Sequence, residues 1–228
     1  MENDIIENIE RVRASLKEGV TLVAVSKTHT AQEAKTAYDT GIRDFGENRV
    51  QELLEKKANL PDDIKWHLIG SLQTNKVRKV VGEAFLIHSL DRPELALAIE
   101  KESSKKDIVT DCLIEINIGC EDSKSGVLPE HLDELVELAR SLKHIRIRGL
   151  MAIIPKGTQE ENREYFKKMK QTFDDLKKKE SENFSMEILS MGMTNDYVTA
   201  IDEGSTLVRV GEGIFGARDK NRGGNQNG

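Results

Sequence analysis

A lysine, an arginine and two glycine-rich loops carry the chemistry this sequence offers. Lys27 follows Thr21-Leu-Val-Ala-Val-Ser26, where Leu22, Val23, Ala24 and Val25 are apolar on both faces, the pattern of a parallel strand buried on both sides. An amine at the carboxyl end of such a strand loses hydration. Desolvation disfavours its charged form and leaves more of the neutral nucleophile that condenses with an aldehyde. The competing reading is a strand-end lysine whose ammonium simply reaches water. Far along the chain, Gly211-Glu-Gly213-Ile-Phe-Gly216 directly follows the apolar run Thr206-Leu-Val-Arg-Val210. This G-x-G-x-x-G pattern resembles a dinucleotide-binding turn, which needs a further helix, a second strand and an acidic residue about 20 positions on. Only 12 residues follow Gly216 in this sequence. What survives is the local physics, in which glycines let backbone N–H groups approach an anion. Ser190-Met-Gly192-Met-Thr194 offers the same, with the backbone around Met191 and Gly192 and the hydroxyl of Thr194 as donors. Two glycine-rich turns with no ligand are the alternative.

The elements around these residues repeat one unit. Ile5, Ile6, Ile9, Val12 and Leu16 form one helical stripe over 3–18, closed by Gly19. After Lys27, Thr30-Ala-Gln-Glu33 has capping-box spacing and opens a helix through Tyr38 that stops at Gly41. The spacing then predicts strands at 43–46, 65–69, 84–88, 112–117, 145–150, 186–189 and 206–210. Helices are predicted at 47–58, 74–81, from 91, at 129–142, from a second capping box at Thr158 and Glu161 to 179, and at 195–203. Counting from Thr21, eight strands alternate with helices. That is the pattern of an α/β fold, a single (β/α)8 TIM barrel with an extra N-terminal helix, spanning residues 1–218, and residues 219–228 are a polar, Gly-rich tail expected to fray. Such barrels carry their active surface at the carboxyl ends of the strands, with phosphate often bound by the loops after the last two. Lys27, Thr194 and the loop Gly211, Glu212, Gly213 all fall on that surface. Arg209 alternates with Val208 and Val210 and can point into the same mouth; an interior salt bridge to Glu115 or Glu187 is its other reading.

Composition narrows the partners. The 228 residues carry 34 Lys+Arg against 40 Asp+Glu, interleaved, for a net charge of -6, which argues against nucleic acid. Cys112 and Cys120, the two cysteines, form neither a CxxC nor a metal-spaced cluster with histidine, so free thiols in a reducing compartment are expected, and no metal. The first residues are acidic where a signal peptide is basic, and no apolar run approaches the ~20 residues of a membrane span. A cytoplasmic monomer is expected. His67 and His88, each at a predicted strand end, read as hydrogen-bonded structural histidines, and Met151, Met191 and Met193 as packing.

An aldehyde-capturing lysine and a phosphate cradle at one barrel mouth suit a ligand with both groups, and pyridoxal 5′-phosphate (PLP) has both. At this point the chain resembles a family, the pyridoxal phosphate homeostasis proteins, themselves similar in fold to the barrel domain of alanine racemase. The residues that carry the resemblance are Val23-Ala-Val-Ser-Lys-Thr28, Phe45-Gly-Glu-Asn48 with Val50-Gln-Glu52, Trp66-His-Leu-Ile-Gly70, His88-Ser-Leu-Asp-Arg92, Ser123-Lys-Ser-Gly126, Arg148-Gly-Leu-Met-Ala152, Ser190-Met-Gly-Met193 and Gly204-Ser-Thr-Leu-Val-Arg-Val-Gly211. The resemblance implies that Lys27 carries PLP as an internal aldimine, Arg209 faces the pyridine nitrogen, Asn48 lines the pocket near the ring, and Thr194 with the backbone of Gly211 to Gly213 holds the phosphate. It implies a carrier or buffer of PLP, without established turnover, that affects amino-acid and keto-acid balance and hands cofactor to PLP-dependent client enzymes. Three positions depart from the family's pattern: Thr30 where proline is common, Arg49 where an aromatic is common, and Glu212, whose carboxylate repels a phosphate unless it turns outward. A PLP-dependent racemase or transaminase is the alternative, and an aldolase-like barrel a third. Racemisation needs a base on each ring face, and in the related racemases the second is a tyrosine from an additional β-domain. Tyr38, Tyr165 and Tyr197 lie in or beside predicted helices, and the Arg209 cation favours an unprotonated ring nitrogen.

Overall fold

The computed structural model describes residues 2–217. Eight parallel strands close into a barrel, each paired with its neighbour in chain order and the last with the first. They are β1 (Thr21–Val25), β2 (Asp44–Glu47), β3 (Lys65–Leu68), β4 (Leu86–Leu90), β5 (Thr110–Glu115), β6 (Ile145–Met151), β7 (Phe184–Ser190) and β8 (Leu207–Val210). The helices are α1 (Glu2–Ala14), α2 (Ala31–Asp39), α3 (Val50–Lys57), α4 (Val77–Val80), α5 (Pro93–Lys105), α6 (Leu132–Ser141), α7 (Gln159–Leu176), α8 (Tyr197–Asp202) and α9 (Glu212–Phe215). Closure rests on the β1–β8 register, with Val23 opposite Arg209 and Ala24 opposite Val210. The single barrel matches the sequence expectation; the stretch 219–228, expected to fray, lies outside the described residues. Among the described residues no helix is long and apolar enough to cross a membrane.

Both capping boxes form. Thr30 Oγ1 accepts from the Glu33 N–H at 3.2 Å while Glu33 accepts from the Thr30 N–H at 2.7 Å, and Thr158 and Glu161 repeat the pair. α1 packs against α2 and α9, burying Ile5, Ile9 and Val12, and Asn8 donates to the Ile214 carbonyl of α9 at 2.9 Å. Several boundaries move. Glu47, expected to start a helix, ends β2, and α3 begins only at Val50. β4 runs two residues later than the apolar pattern suggests, because Phe85 lies outside the strand, 41% exposed, with the Lys65 ammonium over its ring. β5 starts two residues earlier, at Thr110, and the helix expected over 74–81 divides into a 3-10 turn, Thr74–Lys76, and α4.

Strand residues that face outward, among them Phe45, Trp66, Ile87, Ile114, Ile147 and Val208, join the helices in one large apolar layer. Inside the barrel a smaller cluster of Leu86, Leu113 and Met151, with Ile188 against it, stands apart from that layer. Polar groups share the rest of the interior with Val23 and Val25 of β1, and His67 and His88, expected at strand ends, lie within β3 and β4, both fully buried there.

Candidate functional site

β1 ends at Val25, Ser26 stays buried, and Lys27 opens a turn. That turn is gripped on both sides. Behind it, Ser26 Oγ donates to Glu47 Oε1 at 2.6 Å, and Lys56 Nζ donates to the Ser26 carbonyl at 2.5 Å and to the same carboxylate oxygen at 2.6 Å. Ahead of it, Thr28 has φ 66°, a left-handed conformation costly for a β-branched residue, and its N–H donates to Glu52 Oε2 at 2.9 Å. His29 stacks on Phe215 at 4.9 Å, tying the turn to α9. Glu47 and Lys56 are 0% and 7% exposed, and burial pushes the Glu47 carboxyl up while the adjacent ammonium pulls it back. Sequence reasoning missed this pair. The four-residue offset of Lys56 from Glu52 on α3 was visible, but its reach back to Ser26 depends on Glu47 ending a strand.

A cavity of about 800 Å³ opens at the carboxyl ends of the strands, and Lys27, Asn48, Thr194, Arg209, Gly211 and Glu212 all line it. Six of the nine residues singled out from the sequence therefore meet in one place. Three do not line it. Met191 is fully buried beneath the mouth, its N–H bonded to the Leu207 carbonyl and its carbonyl to Ser205 Oγ, so its backbone serves the β7–β8 closure. Gly192 has φ 93°, and a Cβ there would lie 2.6 Å from the Ala200 side chain, so this glycine lets the loop close against α8. Gly213 sits in the first turn of α9, and its N–H donates to Thr194 Oγ1 at 3.1 Å, joining the loops after β7 and β8. A Cβ on Gly213 would come within 2.9 Å of Val210 and 3.1 Å of Thr194. The close approach there is of protein to protein, rather than the open anion space expected from the sequence.

Across the cavity stand the end of β5, the loops after β5 and β6, and the first turn of α7. Glu115, Lys124, Lys156 and Asn162 line this side. Lys124 Nζ donates to the Ile154 carbonyl at 2.9 Å and pairs with Glu121 at 2.5 Å, which holds the two loops together. Of these four, Glu115 ends a strand read from the sequence, Asn162 follows the second capping box and Lys124 lies in a segment of the family resemblance, while Lys156 comes from a loop with no periodicity to read.

Arg209 is 3% exposed at the floor of the cavity. Its guanidinium donates to Ser190 Oγ at 2.5 Å and to the Ala152 carbonyl at 2.9 Å. Neither ion pair weighed for it forms among the described residues: Glu187 pairs with Arg148 at 2.6 Å, and no ion pair joins Arg209 to Glu115. Burial pushes Arg209 down to about 10, with the charges of Glu115 and Asp196 opposing. Burial pushes Glu115 up to about 7, helped by Asp91 and opposed by Arg209. The mouth therefore holds an amine, a cation that only donates, and a carboxyl that is easily protonated. The three tyrosines all point elsewhere. Tyr38 donates to Asp63 at 2.8 Å, Tyr197 shares a hydrogen bond of 2.7 Å with Ser15 of the α1 end, and the Lys168 ammonium sits over Tyr165 on α7.

Comparison with known proteins finds the same barrel in named relatives. Residues 2–219 match the family described as "Alanine racemase, N-terminal domain". A protein of Aquifex aeolicus named "Pyridoxal phosphate homeostasis protein" is 43% identical over 219 residues, 94% of this chain and 95% of the relative. The solved structure of PipY from Synechococcus elongatus, described with PLP bound, is 36% identical with a TM-score of 0.86, over 93% of this chain and 100% of that one. An alanine racemase of Clostridium difficile shares the fold at 17% identity and a TM-score of 0.75, over 96% of this chain and 58% of its own length.

Proposed function

We propose that this chain, which belongs to the alanine racemase N-terminal-domain family and within it to the pyridoxal phosphate homeostasis proteins, binds PLP at the mouth of its barrel and holds it as a cytoplasmic, monomeric carrier for PLP-dependent client enzymes. The observation that carries this reading is the meeting of Lys27, Asn48, Thr194, Arg209, Gly211 and Glu212 on one cavity. When bound, the cofactor supplies an aldehyde that condenses with an amine, releasing water, and a phosphate dianion. The residues fit those demands. Lys27, held by the Ser26–Glu47–Lys56 grip on one side and by Thr28 and His29 on the other, presents its amine from a fixed turn. Thr194, whose oxygen takes the Gly213 N–H, offers the phosphate its hydroxyl proton, and the Gly211–Glu212 backbone at the start of α9 lines the same mouth. Asn48 lines the wall beside Lys27, and Arg209 offers the ring nitrogen a donor that favours its unprotonated form.

The same geometry favours holding over turnover. Proton removal from one face of a bound amino acid and return on the other needs two bases, and none of the three tyrosines lines the cavity. A cation beside the ring nitrogen also withholds the electron sink that carbanion chemistry uses. The discriminating experiment incubates the PLP-loaded protein with L-alanine in deuterium oxide and follows the α-proton and the D-enantiomer. Exchange far slower than on the order of 1 per second is expected; turnover at that rate or faster, ordinary for an enzyme, overturns the carrier reading.

A further inference from the structure

His67 and His88, structural in isolation, belong to an unbroken hydrogen-bond path through the barrel. Asp44 opens β2 at the amino end of the barrel, and its side chain is 19% exposed. Its Oδ1 lies 3.0 Å from His67 Nε2; His67 Nδ1 lies 2.8 Å from His88 Nε2; His88 Nδ1 lies 3.2 Å from Ser190 Oγ; and Ser190 Oγ receives Arg209 Nη1 at 2.5 Å. Five strands contribute, β2, β3, β4, β7 and β8, and the last member lines the cavity.

The ends of this path decide its direction. A carboxylate only accepts, so His67 must carry its proton on Nε2. If both rings are neutral, His67 Nδ1 then accepts from His88 Nε2–H, and His88 Nδ1 accepts from the Ser190 hydroxyl. From the other end, a guanidinium only donates, which leaves Ser190 Oγ as its acceptor and frees the one hydroxyl proton for His88. Both ends demand the same arrangement. Burial supplies the neutrality, pushing His67 down against the pull of Asp44 and His88 well down, further lowered by His67 and Arg209. Aligned bonds of this kind polarise one another, so the carboxylate's charge is felt at Ser190 Oγ and strengthens its hold on the guanidinium.

We propose that Asp44, His67, His88 and Ser190 form a one-way hydrogen-bond chain that orients the Arg209 guanidinium and secures its charge from the opposite end of the barrel, making the four of them positioning residues for the cofactor ring. The role at the ring rests on the reading of Arg209 given above; the chain itself does not. It explains why polar side chains cross an interior that aliphatic residues commonly fill, and why Arg209 needs no carboxylate partner within contact. The arrangement also gives Asp44, far from the mouth, an effect on ligand retention that packing alone would not produce.

The experiment uses the full chain labelled with 15N-histidine. Long-range proton–nitrogen spectra, recorded without added PLP, are expected to show His67 and His88 both neutral and protonated on Nε2, unchanged from about pH 6 to 8, where an unperturbed histidine titrates. A proton on Nδ1 of either ring, or an imidazolium in that range, overturns the chain. In Asp44→Asn the terminal group can donate as well as accept, so the two rings are expected to lose their single tautomer and PLP to be released several-fold faster, with absorption of the bound chromophore shifted. Ser190→Ala is expected to leave the tautomers set by Asp44 in place and to speed release similarly. Unaltered release and absorption in both variants, with wild-type PLP binding intact, overturns the positioning role. Failure of the wild-type protein to bind PLP sinks the functional reading instead, and the tautomers still decide independently whether the chain exists.

Discussion

The apolar layer between barrel and helices and the interior of the barrel are built to different rules. Outside, Phe45, Trp66, Phe166, Phe173 and their neighbours form one contiguous cluster. Inside, Leu86, Leu113, Met151 and Ile188 form a much smaller cluster, Val23 and Val25 of β1 add apolar side chains, and Asp44, His67, His88, Ser190, Arg209 and Glu115 cross the space beside them. Burying such groups costs free energy even when they are hydrogen-bonded, whereas aliphatic side chains at the same positions would stabilise the barrel. A chain that breaks its own packing rule in one region does so where function requires it. The outer layer makes the barrel stable; the proposed work of the inner one is at the mouth.

Four substitutions test that division, beginning with the largest effect. Phe166→Ala removes a fully buried ring from the outer layer and should cost about 3–5 kcal/mol in urea unfolding. PLP affinity of the folded protein should not change; a large loss of affinity would show the two regions to be coupled. Glu115→Gln probes the inner one. Its folded value is raised from 4.5 to about 7, so the native state keeps a proton that the unfolded chain releases. Stability from this group is complete below about 4.5 and is lost as pH rises towards about 7, an amount on the order of 3 kcal/mol. The variant should match the wild type near pH 4.5 and be the more stable near pH 8. Parallel stability profiles for the two proteins would contradict the buried position of this carboxyl.

The third and fourth substitutions act at the mouth. Gly213→Val places a side chain against Val210 and Thr194, whose hydroxyl now takes the Gly213 N–H. Isothermal titration should show PLP affinity falling by about tenfold or more, a loss of ~1.4 kcal/mol or greater, and urea unfolding should fall as well, because the added side chain meets Val210 and Thr194. Unchanged affinity in the folded variant would remove the Gly213–Thr194 contact from the phosphate site. Glu212→Gln has the smallest expected effect. The carboxylate is exposed on the rim of the cavity, so its removal should tighten PLP modestly at low salt and hardly at all once salt screens it. Equal affinity at both ionic strengths would place Glu212 outside the phosphate's field.

What the sequence makes legible follows the same division. Period and cap signals locate the outer layer, because each strand and helix must turn an apolar face to it; hence the barrel, Lys27 after β1, and the two loops at the mouth. Arg209 is readable because it alternates with Val208 and Val210. The inner path is not, since nothing local says that His67 and His88 touch each other until closure brings β3 and β4 side by side and β7 across from them. Phe85 misleads in the opposite way: its apolar character suggests strand, yet it packs under a lysine outside the sheet. Glu47 looks like a helix starter by composition and is instead the buried partner of Lys56.

The proposed function requires Lys27, presented by its clamped turn, to be the residue that holds PLP. The direct measurement loads the protein with PLP, reduces it with borohydride, digests it and maps the labelled peptide. Label on Lys27, together with loss of the visible chromophore in Lys27→Ala, is the predicted result. Label on Lys56, Lys124 or Lys156, or a Lys27→Ala protein that keeps its colour, would contradict it.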